Sequence, residues 1–132
     1  MASEKKNIIL VVDDEPDIRT YLSTMLEDNG YTAITAENGN SGLEMVKEQK
    51  PDLILLDISM PEKSGVKMYR ELMEADETRN VPVIIVTGIS KDFKQFIATR
   101  KQVPPPTDYV SKPIEREEFL EKVSMALTKG QA

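Results

Sequence analysis

Four groups of polar residues each follow a run of strand-forming residues directly: Asp13-Asp14, Asp57, Thr87-Gly88 and Ser111-Lys112-Pro113. If those runs lie side by side in one sheet, three carboxylates, a hydroxyl, a backbone N–H and an ammonium converge on one rim. Carboxylates so close disfavour each other's ionisation. A hard divalent cation removes that conflict, and Mg²⁺ accepts oxygen ligands while keeping waters and phosphate oxygens in its shell. A carboxylate beside such an ion can attack a phosphoryl group and form an aspartyl phosphate. The transferred oxygens then need positive charge and donors. Mg²⁺, the Lys112 ammonium, the Thr87 hydroxyl and the Gly88 N–H would supply them. Taken singly, most of these residues have plainer readings. Asp14, ahead of Glu15, Pro16 and Asp17, would serve as an ordinary helix start. Thr87 would be a strand terminus and Lys112 a solvated charge. Asp57 is different, because it directly follows Leu53 to Leu56, a run that reads as buried.

The composition narrows the chemistry further. The 132 residues include no histidine and no cysteine. A thiolate nucleophile, a zinc finger and a histidine general base are therefore excluded within this chain. The 17 basic and 23 acidic residues give a net charge of −6, which argues against nucleic-acid binding. The longest aliphatic run, Ile8 to Val12, is far short of the roughly twenty residues of a membrane span. The polar stretch Met1 to Asn7 lacks the apolar core of a secretory signal. These features predict a soluble, cytoplasmic protein that binds neither nucleic acid nor membrane directly.

The elements that must position the rim residues are legible as patterns. Ile8 to Val12, Leu53 to Leu56 and Val83 to Val86 are continuous aliphatic runs, as expected of strands buried on both faces. Tyr31 to Ala36 is a weaker run and Asp108 to Ser111 a short one. Between them lie helical spacings. Ile18, Tyr21, Leu22, Met25 and Leu26 mark the first, with Pro16 at its start and Asn29-Gly30 at its end. Leu43 and Val46 mark the second, and Val66, Tyr69, Leu72 and Met73 the third. Phe93, Phe96 and Ile97 mark the fourth, and Phe119, Val123 and Leu127 the fifth, with Leu120 and Ala126 beside them. A strand and a helix recur about every 25 residues, the rhythm of a βαβα chain. Right-handed crossovers make this a doubly wound α/β domain with a five-stranded parallel sheet. One domain over residues 1–132, with a core from about 7 to 127 and no output domain, is the expected organisation.

With these residues in order, the chain resembles the receiver domain of two-component response regulators. The matching text is Ile9 to Glu15, then Leu55-Leu56-Asp57-Ile58-Ser59-Met60-Pro61 with Gly65, then Val83 to Gly88, then Asp108 to Pro113. The resemblance implies a flavodoxin-like fold with strand order 2-1-3-4-5. By position, it implies Asp57 as phosphoacceptor, Asp14 as direct metal ligand and Asp13 as an acid acting mainly through water. Ser59 would offer its backbone carbonyl to the metal. Thr87 and Tyr109 would be the switch residues, Gly88 and Lys112 would bind the phosphoryl group, and Lys112-Pro113 would be a cis peptide. The implied cofactor is Mg²⁺, with Mn²⁺ as a substitute. The implied partners are a histidine kinase or histidine phosphotransfer protein and a downstream protein target. The switch would act on the face built by the fifth strand and the last two helical segments. Such a module is a regulator rather than an enzyme, with at most slow self-dephosphorylation.

One stretch departs from the family pattern. Val103-Pro104-Pro105-Pro106-Thr107 replaces the usual short turn before the fifth strand, which alters the expected output face. Ser59 and Ile89 occupy positions that tune dephosphorylation in the family. Other readings share parts of the pattern. A haloacid-dehalogenase-type phosphatase needs a second aspartate where Ser59 stands. A flavodoxin-type binder needs a Gly/Ser/Thr-rich loop where Asp13 to Pro16 stand. A phosphorylation-independent adaptor usually lacks part of the acidic pocket, which is complete here. The absent histidine also acquires a meaning: a phosphohistidine donor must belong to another protein.

Overall fold

The structure is a computed structural model that describes residues 7–58, 60, 64–87 and 106–130. Five strands, β1 (Ile8–Val12), β2 (Thr32–Ala36), β3 (Leu53–Asp57), β4 (Val83–Thr87) and β5 (Asp108–Ser111), form one sheet in the order β2-β1-β3-β4-β5. Every pairing is parallel. The helices among the described residues are α1 (Pro16–Asp28), α2 (Gly39–Gln49), α3 (Ser64–Glu74) and α4 (Arg116–Gly130). The expected helical segment at Phe93 to Ile97, and Pro104-Pro105, lie outside the described residues. The last predicted helix is α4.

The continuous aliphatic strands are explained by two cores. Alternate side chains of a strand face opposite sides of the sheet. Leu10, Val12, Ile54, Leu56, Val83 and Ile85 pack on one side with Val46 of α2 and Met68, Tyr69 and Leu72 of α3. Ile9, Val11, Leu53, Leu55, Ile84 and Val86 pack on the other with Leu22 and Leu26 of α1 and Phe119 and Val123 of α4. Helices on both faces leave no solvated side for polar residues to occupy, so the three central strands read as apolar throughout. β2 lies at the sheet edge and buries only Ala36 fully, which accounts for its weaker signal.

Helix ends follow local chemistry. Asn38 caps α2 by accepting from the Ser41 N–H at 2.8 Å. Lys50 ends α2 in the left-handed region, at φ 48°, and Pro51 prevents continuation. Gly30 follows α1 with φ 91°, a conformation open to glycine. Within α1, Leu22, Met25 and Leu26 are buried, but Tyr21 is 47% exposed, at the margin of the apolar stripe rather than in the core. No helix among the described residues is long and apolar enough to cross a membrane.

Candidate functional site

Parallel strands carry their last residues to the same edge. β1 and β3 are adjacent with Val12 opposite Leu56, so Asp13 and Asp57 emerge side by side. Asp57 is opposite Val86 and Thr87 opposite Ser111, which brings the ends of β4 and β5 to the same rim. One carboxylate oxygen from each of Asp13, Asp14 and Asp57 lies within 4.8 Å of the others. Asp13 and Asp57 are each 1% exposed, whereas Asp14 is exposed. All three acids expected from the sequence are therefore in one place. The hard oxygen donors and their mutual crowding fit a divalent cation of the Mg²⁺ type.

The loop that presents these acids is tied down on several sides. The Asp13 N–H donates to the Ala36 carbonyl at 3.1 Å. The Asp13 carbonyl accepts from Arg19 Nη1 at 2.6 Å. Asp13 Oδ1 accepts from the Glu15 N–H at 2.9 Å, and Oδ2 lies 3.4 Å from Lys112 Nζ. Both oxygens of Asp13 are thus engaged by the protein. The same ammonium lies 3.6 Å from Asp57 Oδ2 and 3.5 Å from Glu15 Oε1. One cation therefore stands within ion-pairing distance of three acids.

The charges are in tension. Burial, with the Asp57 charge adding to it, raises the Asp13 carboxyl from its ordinary 3.8 to about 6, against the Glu15 N–H and Lys112, which pull it down. Burial works against the Lys112 ammonium, but Asp57, Asp13 and Glu15 together outweigh it and raise its pKa. Lys112 is consequently held as a cation throughout the physiological range.

Two devices position the rest. Gly65, in the first turn of α3, lies so close to the end of β3 that a Cβ there would be 2.2 Å from the Asp57 carbonyl oxygen. Only a glycine lets α3 approach the Asp57 backbone in this way. On β5, Lys122 of α4 donates to the Tyr109 carbonyl at 2.5 Å, and Asp108 Oδ1 accepts from the Tyr109 N–H at 2.8 Å. Lys122 also pairs with Asp108 and Glu118, at 3.7 and 3.5 Å. Tyr109 itself is half-buried against the α2–α3 core. The Lys112-Pro113 bond is cis. Thr87 closes β4 as expected, whereas the expected contributions of Ser59, Gly88 and the Thr87 hydroxyl fall outside the described residues, as does Ile89.

Sequence reading alone did not assign the roles of Arg19, Glu15 and Lys122. Each makes its contact through a long side chain, and only Glu15 left a trace. A glutamate at a helix N-cap is an unusual choice, since Ser, Thr, Asp and Asn are preferred there.

Comparison with known proteins agrees with this geometry. Residues 9–124 match the family model described as the response regulator receiver domain. The chain is 36% identical over 119 residues to the protein PilH of Pseudomonas aeruginosa, covering 90% of this chain and 96% of that one. It is 34% identical to the polar-differentiation response regulator DivK of Brucella anthropi, covering 92% and 96%. Among solved structures, a receiver domain protein from Methanospirillum hungatei superposes with a TM-score of 0.82 at 25% identity, covering 96% of this chain and 98% of that one. The acidic rim, the sheet order and these matches agree: the chain belongs to the response regulator receiver domain family of two-component signalling.

Proposed function

We propose that the chain is a phosphoacceptor switch in which Asp57 takes a phosphoryl group from a phosphohistidine that lies outside these 132 residues. The carrying observation is the placement of Asp57, almost wholly buried, within 4.8 Å of two further carboxylates and 3.6 Å from Lys112. An Asp57 oxygen attacks phosphorus, the new P–O bond forms as the P–N bond breaks, and the imidazole leaves with the electron pair. Mg²⁺, with Mn²⁺ as a substitute, would neutralise charge on the transferring oxygens when bound. Asp14, exposed on the rim, is the open ligand for such an ion. Asp13, whose two oxygens are already engaged, acts through water. Lys112 pairs with the phosphoryl oxygens, as a cation must when charge accumulates in a buried site.

The signal then passes through Thr87 and Tyr109 to the face containing β5 and α4, which docks a downstream protein. The Lys122 clamp on the Tyr109 backbone supports that route, because it joins α4 to the strand that moves. The receiver family makes a histidine kinase or histidine phosphotransfer domain the donor, and the donor histidine lies outside these 132 residues, which contain none. The chain acts as a regulator rather than a turnover enzyme.

Incubation with a small phosphodonor and Mg²⁺ should add about 80 Da, one phosphoryl group, seen by intact mass spectrometry. Asp57→Asn should gain nothing. A mutant that acquires the same mass would overturn the assignment of Asp57.

A further inference from the structure

We propose that Glu15 is a positioning residue that shares the Lys112 ammonium with the phosphoacceptor, and so limits how much of that charge reaches a phosphoryl group on Asp57. The inference rests on the phosphoacceptor reading and adds a regulator of the same site.

Three observations lead to it. Glu15 occupies the N-cap of α1, yet its side chain makes no capping hydrogen bond. It reaches instead to Lys112, 97 residues away in the chain, at 3.5 Å. The helix dipole does not require it, because Asp17 already places an acid in the first turn. Glu15 is therefore held for its partner rather than for the helix.

The partner is a cation with competing claims. Lys112 Nζ is nearly equidistant from Asp13, Glu15 and Asp57, at 3.4, 3.5 and 3.6 Å. Asp13 and Asp57 are buried and fixed, whereas the Glu15 side chain is 61% exposed. When a phosphoryl group adds negative charge on the Asp57 side, the ammonium must turn toward it. Glu15 is the one of the three acids that pulls from the solvent rim. It acts as a counterweight, weakening the grip of Lys112 on the phosphoryl oxygens.

An ion pair with one exposed partner shifts an equilibrium by about threefold. The test is the affinity for beryllofluoride, a phosphoryl mimic, followed by fluorine NMR at saturating Mg²⁺ in wild type, Glu15→Gln and Glu15→Asp. Gln leaves the Glu15 backbone N–H bond to Asp13 intact and removes only the charge. It should bind the mimic about threefold more tightly, and the gain should shrink in about 0.5 M salt. Asp keeps the charge but is one methylene too short to reach Lys112, and should lie between Gln and wild type or match Gln. Unchanged or weaker binding by Gln overturns the inference. So does an Asp variant identical to wild type, since the effect would then be a general field rather than a shared contact. Failure of the folded wild type to bind beryllofluoride at all would instead remove the phosphoacceptor reading, and this inference with it.

Discussion

Replacing Asp13 by asparagine should stabilise the metal-free protein at neutral pH, although the residue belongs to the candidate site. Burial first, and the Asp57 charge with it, lift the Asp13 carboxyl from 3.8 to about 6. Each factor of ten in protonation is worth about 1.36 kcal/mol, so the ionised carboxylate costs the folded chain about 3 kcal/mol. The folded state binds this proton more tightly than the unfolded state does. The stabilisation is complete below about 3.8 and is lost as pH rises through about 6. Asparagine keeps an acceptor for the Glu15 N–H but turns an amide N–H toward Lys112, in place of an anionic oxygen at 3.4 Å. That mismatch reduces the expected gain to about 1–2 kcal/mol, or roughly 3–8 °C in Tm for a domain of this size. Urea unfolding in EDTA, followed by circular dichroism at about pH 7.5 and about pH 4.5, measures it. The variant should be more stable at the higher pH, and its advantage should vanish at the lower, where the wild-type carboxyl carries its proton. Added Mg²⁺ should narrow the gap by binding the wild type more tightly. A variant less stable than wild type at the higher pH, or an equal gain at both, would refute the reasoning.

Other outcomes follow from the packing. Gly65→Ala places a Cβ against backbone atoms of Asp57 and Ile58 that cannot yield. It should cost about 3 kcal/mol in thermal unfolding and impair phosphoryl uptake on Asp57. Phe119→Ala empties a fully buried site in the α1–α4 layer, with an expected loss of about 3–5 kcal/mol by denaturant titration. Thr78→Val removes the hydroxyl that donates to the Leu72 carbonyl at 2.7 Å, and should cost about 1–2 kcal/mol in the same assay.

The central strands were legible because burial on both faces writes an unbroken aliphatic run, and β1 has the expected bounds Ile8–Val12. β3 and β4 each run one residue further than their aliphatic runs, to Asp57 and Thr87. There the polar side chain marks the strand end although the backbone ladder continues. Helical spacing identified the stripe of α1 but not its margin, where Tyr21 is 47% exposed. The grouping of Asp13, Asp14 and Asp57 followed from strand ends sharing an edge, while the strand order came from the family resemblance. Arg19, Glu15 and Lys122 were opaque for a different reason. Their contacts depend on side-chain reach across elements, and residue spacing along the chain holds no record of that.

The twin cores have a further consequence for how this sheet finds its alignment. A one-residue slip normally drives an apolar set into water, and this selects the correct pairing. In β1, β3 and β4 such a slip would only exchange one aliphatic side chain for another, because both faces are dry. Hydrophobicity alone therefore discriminates poorly among misaligned pairings. The penalty falls at the strand ends, where a shift would drag the Asp13 or Asp57 carboxylate between the helix layers and away from Lys112. The acids of the candidate site thus act as end stops during folding. Neutralising both together should relax alignment as well as remove chemistry, so a double Asn variant should be the one prone to misassembled, aggregating chains.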